Sequence, residues 1–554
     1  MAKMEDAVCI AAVNAYIEYG SQRLAADALG IAQSSLNVQL KEAKVRGLYR
    51  EPSGAAEVFE SIDYTLPAKG KVKRYFLTCA QDHTKLNRPA WLNMQALADH
   101  YRDQKDSDGV EILVSTFNYN KDAVGQSKSA KGRDEQAELA ANFPREVVPF
   151  ICNDRINLTK NLTFVGEVQI SPTARRPLTG FENYTYRRST IIPHTTIALA
   201  SVPGMHDEGV KLLYTTGTMT QRNYIKRRVG FQAEHYHAYG FLLVEVDSDG
   251  HWWCRQVQHG ADGAMHDLNI RVKAGDVQVQ TSLPLGRNHK SFVADIAWGD
   301  THASQVDPVV ADIQWGKRPD SMLEFLHPAS QHVHDLLDFS PQSHHTRRDP
   351  HLVYRHFVKT RGSVTTELLT TAKVANEIYR DWCDTVVVNS NHDRHPERWL
   401  KEADWRDDHE NAILILDLNS AILKAIQAGD DNFYLPEMML KLSGANPKIR
   451  FLREDESDII LGNIDGGIEA GLHGDRGANG AKGTVSGIAR SGRKYNIADK
   501  HAAAIMDLTY CAGTSGRLKM GFNHGLTTWT HADIVTYRNG TRAIVSVWKG
   551  KYKA

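Results

Sequence analysis

Val386-Val387-Val388-Asn389-Ser390-Asn391-His392-Asp393 is the stretch whose reading decides the fold. Three β-branched residues in a row predict a buried strand, and the polar run after them predicts a loop at its C-terminal end, where open α/β sheets place their chemistry. Asn391, His392 and Asp393 together offer a carbonyl oxygen, an imidazole and a carboxylate. Such a trio can ligate a metal and pass a proton, yet a polar loop after a strand is more often only a turn with satisfied side chains.

Four other segments supply donors of the same kind. Upstream, Ile296-Ala297-Trp298-Gly299-Asp300-Thr301-His302 ends a strand-like run with a carboxylate and an imidazole two residues apart, and His334-Asp335-Leu336-Leu337-Asp338 follows it. Downstream come Gly471-Leu472-His473-Gly474 and Ile497-Ala498-Asp499-Lys500-His501. This series resembles the motifs of the calcineurin-like metallophosphoesterases, a superfamily that includes the double-strand-break repair nucleases: Asp-x-His, Gly-Asp-x-x-Asp, Gly-Asn-His-Asp, His-Gly and Gly-His-x-His. The likeness covers roughly residues 291 to 554. A looser one, on Tyr510-Cys511-Ala512-Gly513-Thr514-Ser515 and Lys519-Met520-Gly521-Phe522-Asn523, is to phage-encoded members such as the host-DNA-degrading DNases of T5-like phages.

The resemblance implies a site of two divalent cations. Asp300, His302, Asp335 and His501 would hold the first, with Asp335 bridging, and Asp335, Asn391 and His473 the second, with Asp499 either completing it or binding nothing and leaving one metal weakly held. His392 would be catalytic, protonating the leaving oxygen, with Asp393 orienting it. Three positions depart from the pattern: His334 and Ser390 stand where the family has Gly, and Asp499 stands where it has His. A carboxylate in place of an imidazole favours manganese, with magnesium or iron as alternatives, over zinc.

At 554 residues the chain exceeds one core. Apolar residues make up 42% and charged residues 24%, with a formal net charge of zero, so contact with a polyanion has to come from local basic patches. Six cysteines lie far apart with no Cys-x-x-Cys pair, which argues against zinc ribbons and suits a reducing cytosol. No signal peptide or membrane-spanning run is read, so the expected location is cytoplasmic, the host cytoplasm if phage-encoded.

The expected fold class is α/β, organised in four stretches. Residues 1–50 read as a helix-turn-helix, with Gly30 at the turn, Ser21 as a cap and Gln33, Ser34, Ser35, Asn37, Gln39 and Lys41 on a recognition helix; the alternative is a small bundle for packing or oligomerisation. Residues 51–72 read as a linker. Residues 73–290 read as a βαβ unit followed by a β-rich region, with a surface loop at 122–140 and interleaved basic and aromatic residues: Tyr184, Tyr186, Arg187 and Arg188, then Tyr224, Lys226, Arg227 and Arg228. Residues 291–554 form the metallophosphoesterase β-sandwich flanked by helices, closing with a hairpin at Asn539-Gly540. No internal repeat is visible.

The leading expectation is a dimetal phosphodiesterase acting on DNA, a nuclease, with DNA as its partner and a homo-oligomer possible by the same reading. The same ligands would serve a phosphomonoesterase, a nucleotidase or an RNase. A further alternative is a DNA-binding regulator with a degenerate site.

Overall fold

The run Val386–Val388 is apolar because both faces are packed, Val387 in one core and Val386 and Val388 with Leu452 on the other, and its strand, Asp384–Val387, pairs in parallel with Ser330–Val333 on one edge and Arg450–Phe451 on the other. The computed structural model describes residues 6–19, 22–46, 61–119, 142–206, 208–280, 291–343, 347–360, 362–521 and 523–554. It is a mixed α/β protein, 28% helix and 27% strand. Ser21 and the expected loop at 122–140 lie outside the described residues, as do residues 51–60 of the expected linker.

The sheet built around the central strand has six strands, in the order Arg450–Phe451, Asp384–Val387, Ser330–Val333, Val293–Ala297, Ala532–Tyr537 and Arg542–Ser546. The last two form the expected hairpin, with Gly540 at φ +80°, a left-handed value that glycine adopts without steric cost. Helix Val364–Ile378 feeds the central strand. It starts where the Ser363 hydroxyl accepts the Thr366 N–H (3.2 Å), and it buries Leu368, Ala372, Ala375 and Ile378 at helical spacing. Residues 307 to 328 hold two helices, Pro308–Trp315 and Met322–Leu326. Asp307 caps the first through the N–H groups of Val309 and Val310, and Ser321 caps the second.

A second sheet has eleven strands and draws on both long segments of the sequence. Ten of them run in the order Arg155–Thr159, Leu162–Val165, Ser189–Ile192, Lys211–Thr215, Leu199–Val202, Ala504–Met506, Thr509–Cys511, Tyr495–Ile497, Ile468–Glu469 and Ile459–Ile460. The junction between the segments is the antiparallel pairing of Leu199 with Ile505. Residues 73–290 and 291–554, distinct in the sequence reading, are thus joined through one sheet, and residues 62–554 form a single compact unit. Ala297, Ile534 and Ile544 of the six-stranded sheet share a core with Ile505, Tyr510 and Ala512 of the eleven-stranded one, which makes the sandwich. A four-stranded sheet, Trp252–Gln258, Gly240–Asp247, Val72–Gln81 and Ser107–Phe117, packs with helix Arg88–Arg102.

The N-terminal unit consists of three helices, Asp6–Tyr19, Gln22–Ala28 and Gln33–Val45, around Cys9, Ala12, Ala25, Leu36 and Leu40. Gly30 makes the turn at φ +65°. The third helix opens at Gln33, and Gln33, Ser34, Ser35, Asn37 and Lys41 are exposed along it. All six cysteines are unpaired, five of them buried. No described helix is long and apolar enough to cross a membrane.

Candidate metal centre

The loops at the C-terminal ends of Val293–Ala297 and Ser330–Val333 bring Asp300, His302 and Asp335 together, and the loops around His473 and His501 close over them. Asp335 is the hub. Its Oδ2 lies 3.4 Å from His473 Nε2, 3.6 Å from His302 Nε2 and 3.9 Å from His392 Nε2. His501 Nε2 stands 3.0 Å from Asp300 Oδ2 and 3.0 Å from His302 Nε2. All of these side chains except His392 are buried.

Asp335 is shared by two sets of donors, His302 with His501 and Asp300 with His473, each set lying within 4.8 Å. A third set, His302, Asp338 and His392, adjoins them. Among the described residues, Asp335 Oδ1 and Asn391 Oδ1 are buried atoms without a hydrogen-bond partner, and Asp300 Oδ2, His302 Nδ1 and His473 Nε2 sit beside opposite charges without a well-directed hydrogen bond. Buried polar atoms are rarely left so, and carboxylate and imidazole atoms converging on one place in this way fit divalent cations.

The backbone carries the same signature. His302, Asp335, Asp499 and His501 all have positive φ, at +44°, +47°, +67° and +53°. Left-handed conformations in side-chain-bearing residues cost of order 1–3 kcal/mol each and cluster at functional sites. Here they turn four donors inward from loops that would otherwise diverge.

The electrostatics are those of concentrated carboxylates. Burial alone would lower the pKa of His473, but Asp335, Asp300 and Asp499 outweigh it and raise it to about 10. Burial likewise opposes His302, which Asp338, Asp335 and Asp300 raise to about 9. Conversely, burial would raise Asp335, yet His392, His473 and His302 hold its carboxyl well below the usual range. The field that attracts protons to these imidazoles is the field a divalent cation would exploit.

Two residues to which the sequence reading assigned no ligand or catalytic role belong to the cup. Asp338, three residues after Asp335 in the same motif, has Oδ1 at 3.3 Å from His302 Nδ1 and 3.5 Å from His392 Nδ1. His334, noted only as a departure from glycine, stacks on His473 with Nδ1 to Nδ1 at 3.3 Å. Burial and the neighbouring His473 push its pKa down to about 3, so His334 is neutral and its Nδ1 accepts from His473 Nδ1–H. That leaves His473 Nε2 aimed at Asp335.

The structure also reassigns the residue that orients His392. His392 Nδ1–H donates to the Asp338 backbone carbonyl (2.9 Å), whereas the Asp393 carboxylate accepts the Ser390 N–H (2.8 Å) and shapes the turn. The Ser390 hydroxyl in turn accepts the His392 N–H (3.2 Å), a use of the side chain that a glycine would lack. Asp499 stands at the rim: its carboxylate pairs with Lys500, with Oδ1 at 3.7 Å from His473 Nε2.

Comparison with known proteins returns a relative, Protein A1 of Escherichia phage T5, 32% identical over 523 residues, which cover 93% of this chain and 88% of the relative. No family model and no solved structure matches the chain.

Proposed function

The chain belongs to the family of Protein A1 of phage T5, and on that premise and the geometry of the cup we propose that it is a metal-dependent phosphodiesterase that hydrolyses DNA. The observation that carries this reading is the sharing of Asp335 between two sets of imidazole and carboxylate donors. Paired cations about 3.5–4 Å apart clamp a phosphoryl group, and a carboxylate common to both sets can hold them at that spacing. The motif series around it, which resembles that of the metallophosphoesterases, supports the reaction class; the basic segments support DNA as the substrate.

Asp300, His302, Asp335, His473 and His501 would hold two divalent cations, with Asn391 and Asp499 completing the second by the resemblance. Manganese suits this carboxylate-rich set, with magnesium or iron as substitutes. When bound, the metals would supply hydroxide near neutral pH and neutralise phosphate charge. The protein's own part is proton management. Because His392 Nδ1–H is committed to the Asp338 carbonyl, Nε2 is the nitrogen left to act, and it faces the cup. As water adds to phosphorus and the ester P–O bond breaks, protonated Nε2 delivers its proton to the departing oxygen.

The test is hydrolysis by the purified full chain with manganese, on duplex DNA, single-stranded DNA, RNA, bis(p-nitrophenyl) phosphate and a nucleotide monoester. Cleavage of DNA and of the diester, lost in His392→Ala while DNA binding persists, is the expected result. Preference for the monoester would make it a nucleotidase. Absence of bound metal, with His392→Ala behaving as wild type, would leave a DNA-binding regulator.

A further inference from the structure

The two halves of the eleven-stranded sheet repeat one another outward from the Leu199–Ile505 pairing. On one side Leu199–Val202 pairs antiparallel with Lys211–Thr215, which pairs in parallel with Ser189–Ile192, then in parallel with Leu162–Val165, then antiparallel with Arg155–Thr159. On the other, Ala504–Met506, Thr509–Cys511, Tyr495–Ile497, Ile468–Glu469 and Ile459–Ile460 follow with the same sequence of directions. The flanking sheets repeat too: Trp252–Gln258, Gly240–Asp247, Val72–Gln81 and Ser107–Phe117 have the pairing directions of Arg542–Ser546, Ala532–Tyr537, Val293–Ala297 and Ser330–Val333.

Individual hydrogen bonds confirm the register. The Thr218 hydroxyl donates to the Cys79 carbonyl as Thr514 does to Asp300, both at 2.8 Å. Ala238 N–H donates to Thr195 O as Thr530 does to His501. Asn87 caps helix Arg88–Arg102 as Asp307 caps Pro308–Trp315. The chain therefore contains two copies of one lobe, whose clearest echo in sequence is Tyr214-Thr215-Thr216-Gly217-Thr218 against Tyr510-Cys511-Ala512-Gly513-Thr514.

In this register Cys79 stands for Asp300, Gln81 for His302, Ser115 for Asp335 and Thr195 for His501. The vacated position is filled: Tyr224 OH lies 2.7 Å from His237 Nδ1 and 3.3 Å from Thr195 Oγ1. Tyr224 thereby anchors the loop leaving Lys211–Thr215, and just beyond it Lys226, Arg227 and Arg228 are exposed, with no acidic partner among the described residues. The matching loop of the metal-binding lobe carries Arg517 and Lys519.

We propose that the first lobe is a metal-free copy of the second and that its Lys226–Arg228 loop binds the phosphates of DNA, holding the substrate at a place where no cleavage occurs. This rests on the reading of the chain as a DNA phosphodiesterase. Three unpaired cations in succession on an anchored loop suit a repeating anion, and the ring of Tyr224 fixes the loop without spending its charge.

The experiment compares the full chain with K226Q/R227Q/R228Q, and with K69Q/K105Q/K160Q as a control for charge alone, all on a His392→Ala background. The probe is binding of a fluorescent 40-base-pair duplex over a salt series. The loop variant should bind about tenfold more weakly at low salt, with a salt dependence shallower by about two to three phosphate contacts. The control should match the parent. Equal binding by the loop variant, or equal loss in the control, overturns the proposal. In the His392-containing protein the loop variant should hydrolyse bis(p-nitrophenyl) phosphate at the parental rate. A chain that cleaves no ester but still loses DNA affinity in the loop variant would sink the catalytic reading and uphold this one.

Discussion

His334 Nδ1 lies 3.3 Å from His473 Nδ1, with the two rings stacked at 26°. A neutral imidazole thus fixes which nitrogen of its neighbour faces Asp335. Groups that orient a metal ligand in this way typically contribute 10–100-fold to affinity. His334→Ala should therefore weaken manganese binding by about that factor, measured by calorimetry, while the thermal midpoint of the metal-free protein moves much less than in a core truncation. Unchanged affinity would mean that His334 only fills space.

Metal should stabilise the fold through Asp335. Ligand at a hundred times its dissociation constant adds about 2.7 kcal/mol, which for a unit of this size raises the melting midpoint by about 3 °C. Manganese should produce that rise in the wild type and none in Asp335→Asn, and elemental analysis should find the metal lost from the variant. Cys79→Ser, at the place in the other lobe that matches Asp300, should keep its full metal content.

Asp338 holds the ring of His392 by its backbone carbonyl and faces both His302 and His392 with its carboxylate. Asp338→Asn keeps the carbonyl and removes the charge. The expected outcome on bis(p-nitrophenyl) phosphate is a kcat lowered by about 10²-fold with KM little changed, as for a group that assists proton transfer. A change confined to KM would place Asp338 in substrate binding instead.

Far from the cup, Glu245 is buried between Arg255 (2.7 Å) and Arg74 (2.9 Å). Burial would raise its pKa, but the two guanidinium groups outweigh this and lower it to about 2 from an ordinary 4.5. A folded-state pKa below the unfolded one contributes stability that is fully present above pH 4.5 and lost as pH falls toward 2, here about 3 kcal/mol. Glu245→Gln should lower the melting midpoint at pH 6, and the gap to wild type should narrow as the pH drops to 3. A gap independent of pH would show that the glutamate contributes by packing alone.

The amino-acid sequence by itself determined the local elements and the donor types. The Val386–Val388 strand, the Val364–Ile378 helix, the Asn539-Gly540 hairpin and the three N-terminal helices follow from side-chain periodicity, caps and turn residues, which act over a few positions. The motif loops could be read because carboxylates and imidazoles after strands are chemically distinctive. The sharing of Asp335 between two donor sets was already implied by the resemblance; tertiary structure alone decided that Asp338 rather than Asp393 holds His392, and that His334 orients His473. It also decided the doubling of the lobe. Hydrogen-bond register between Leu199 and Ile505 links residues some three hundred positions apart, and a backbone pairing is satisfied by nearly any side chains, so two copies of one fold can share their register while retaining little more than a Tyr-x-x-Gly-Thr in common.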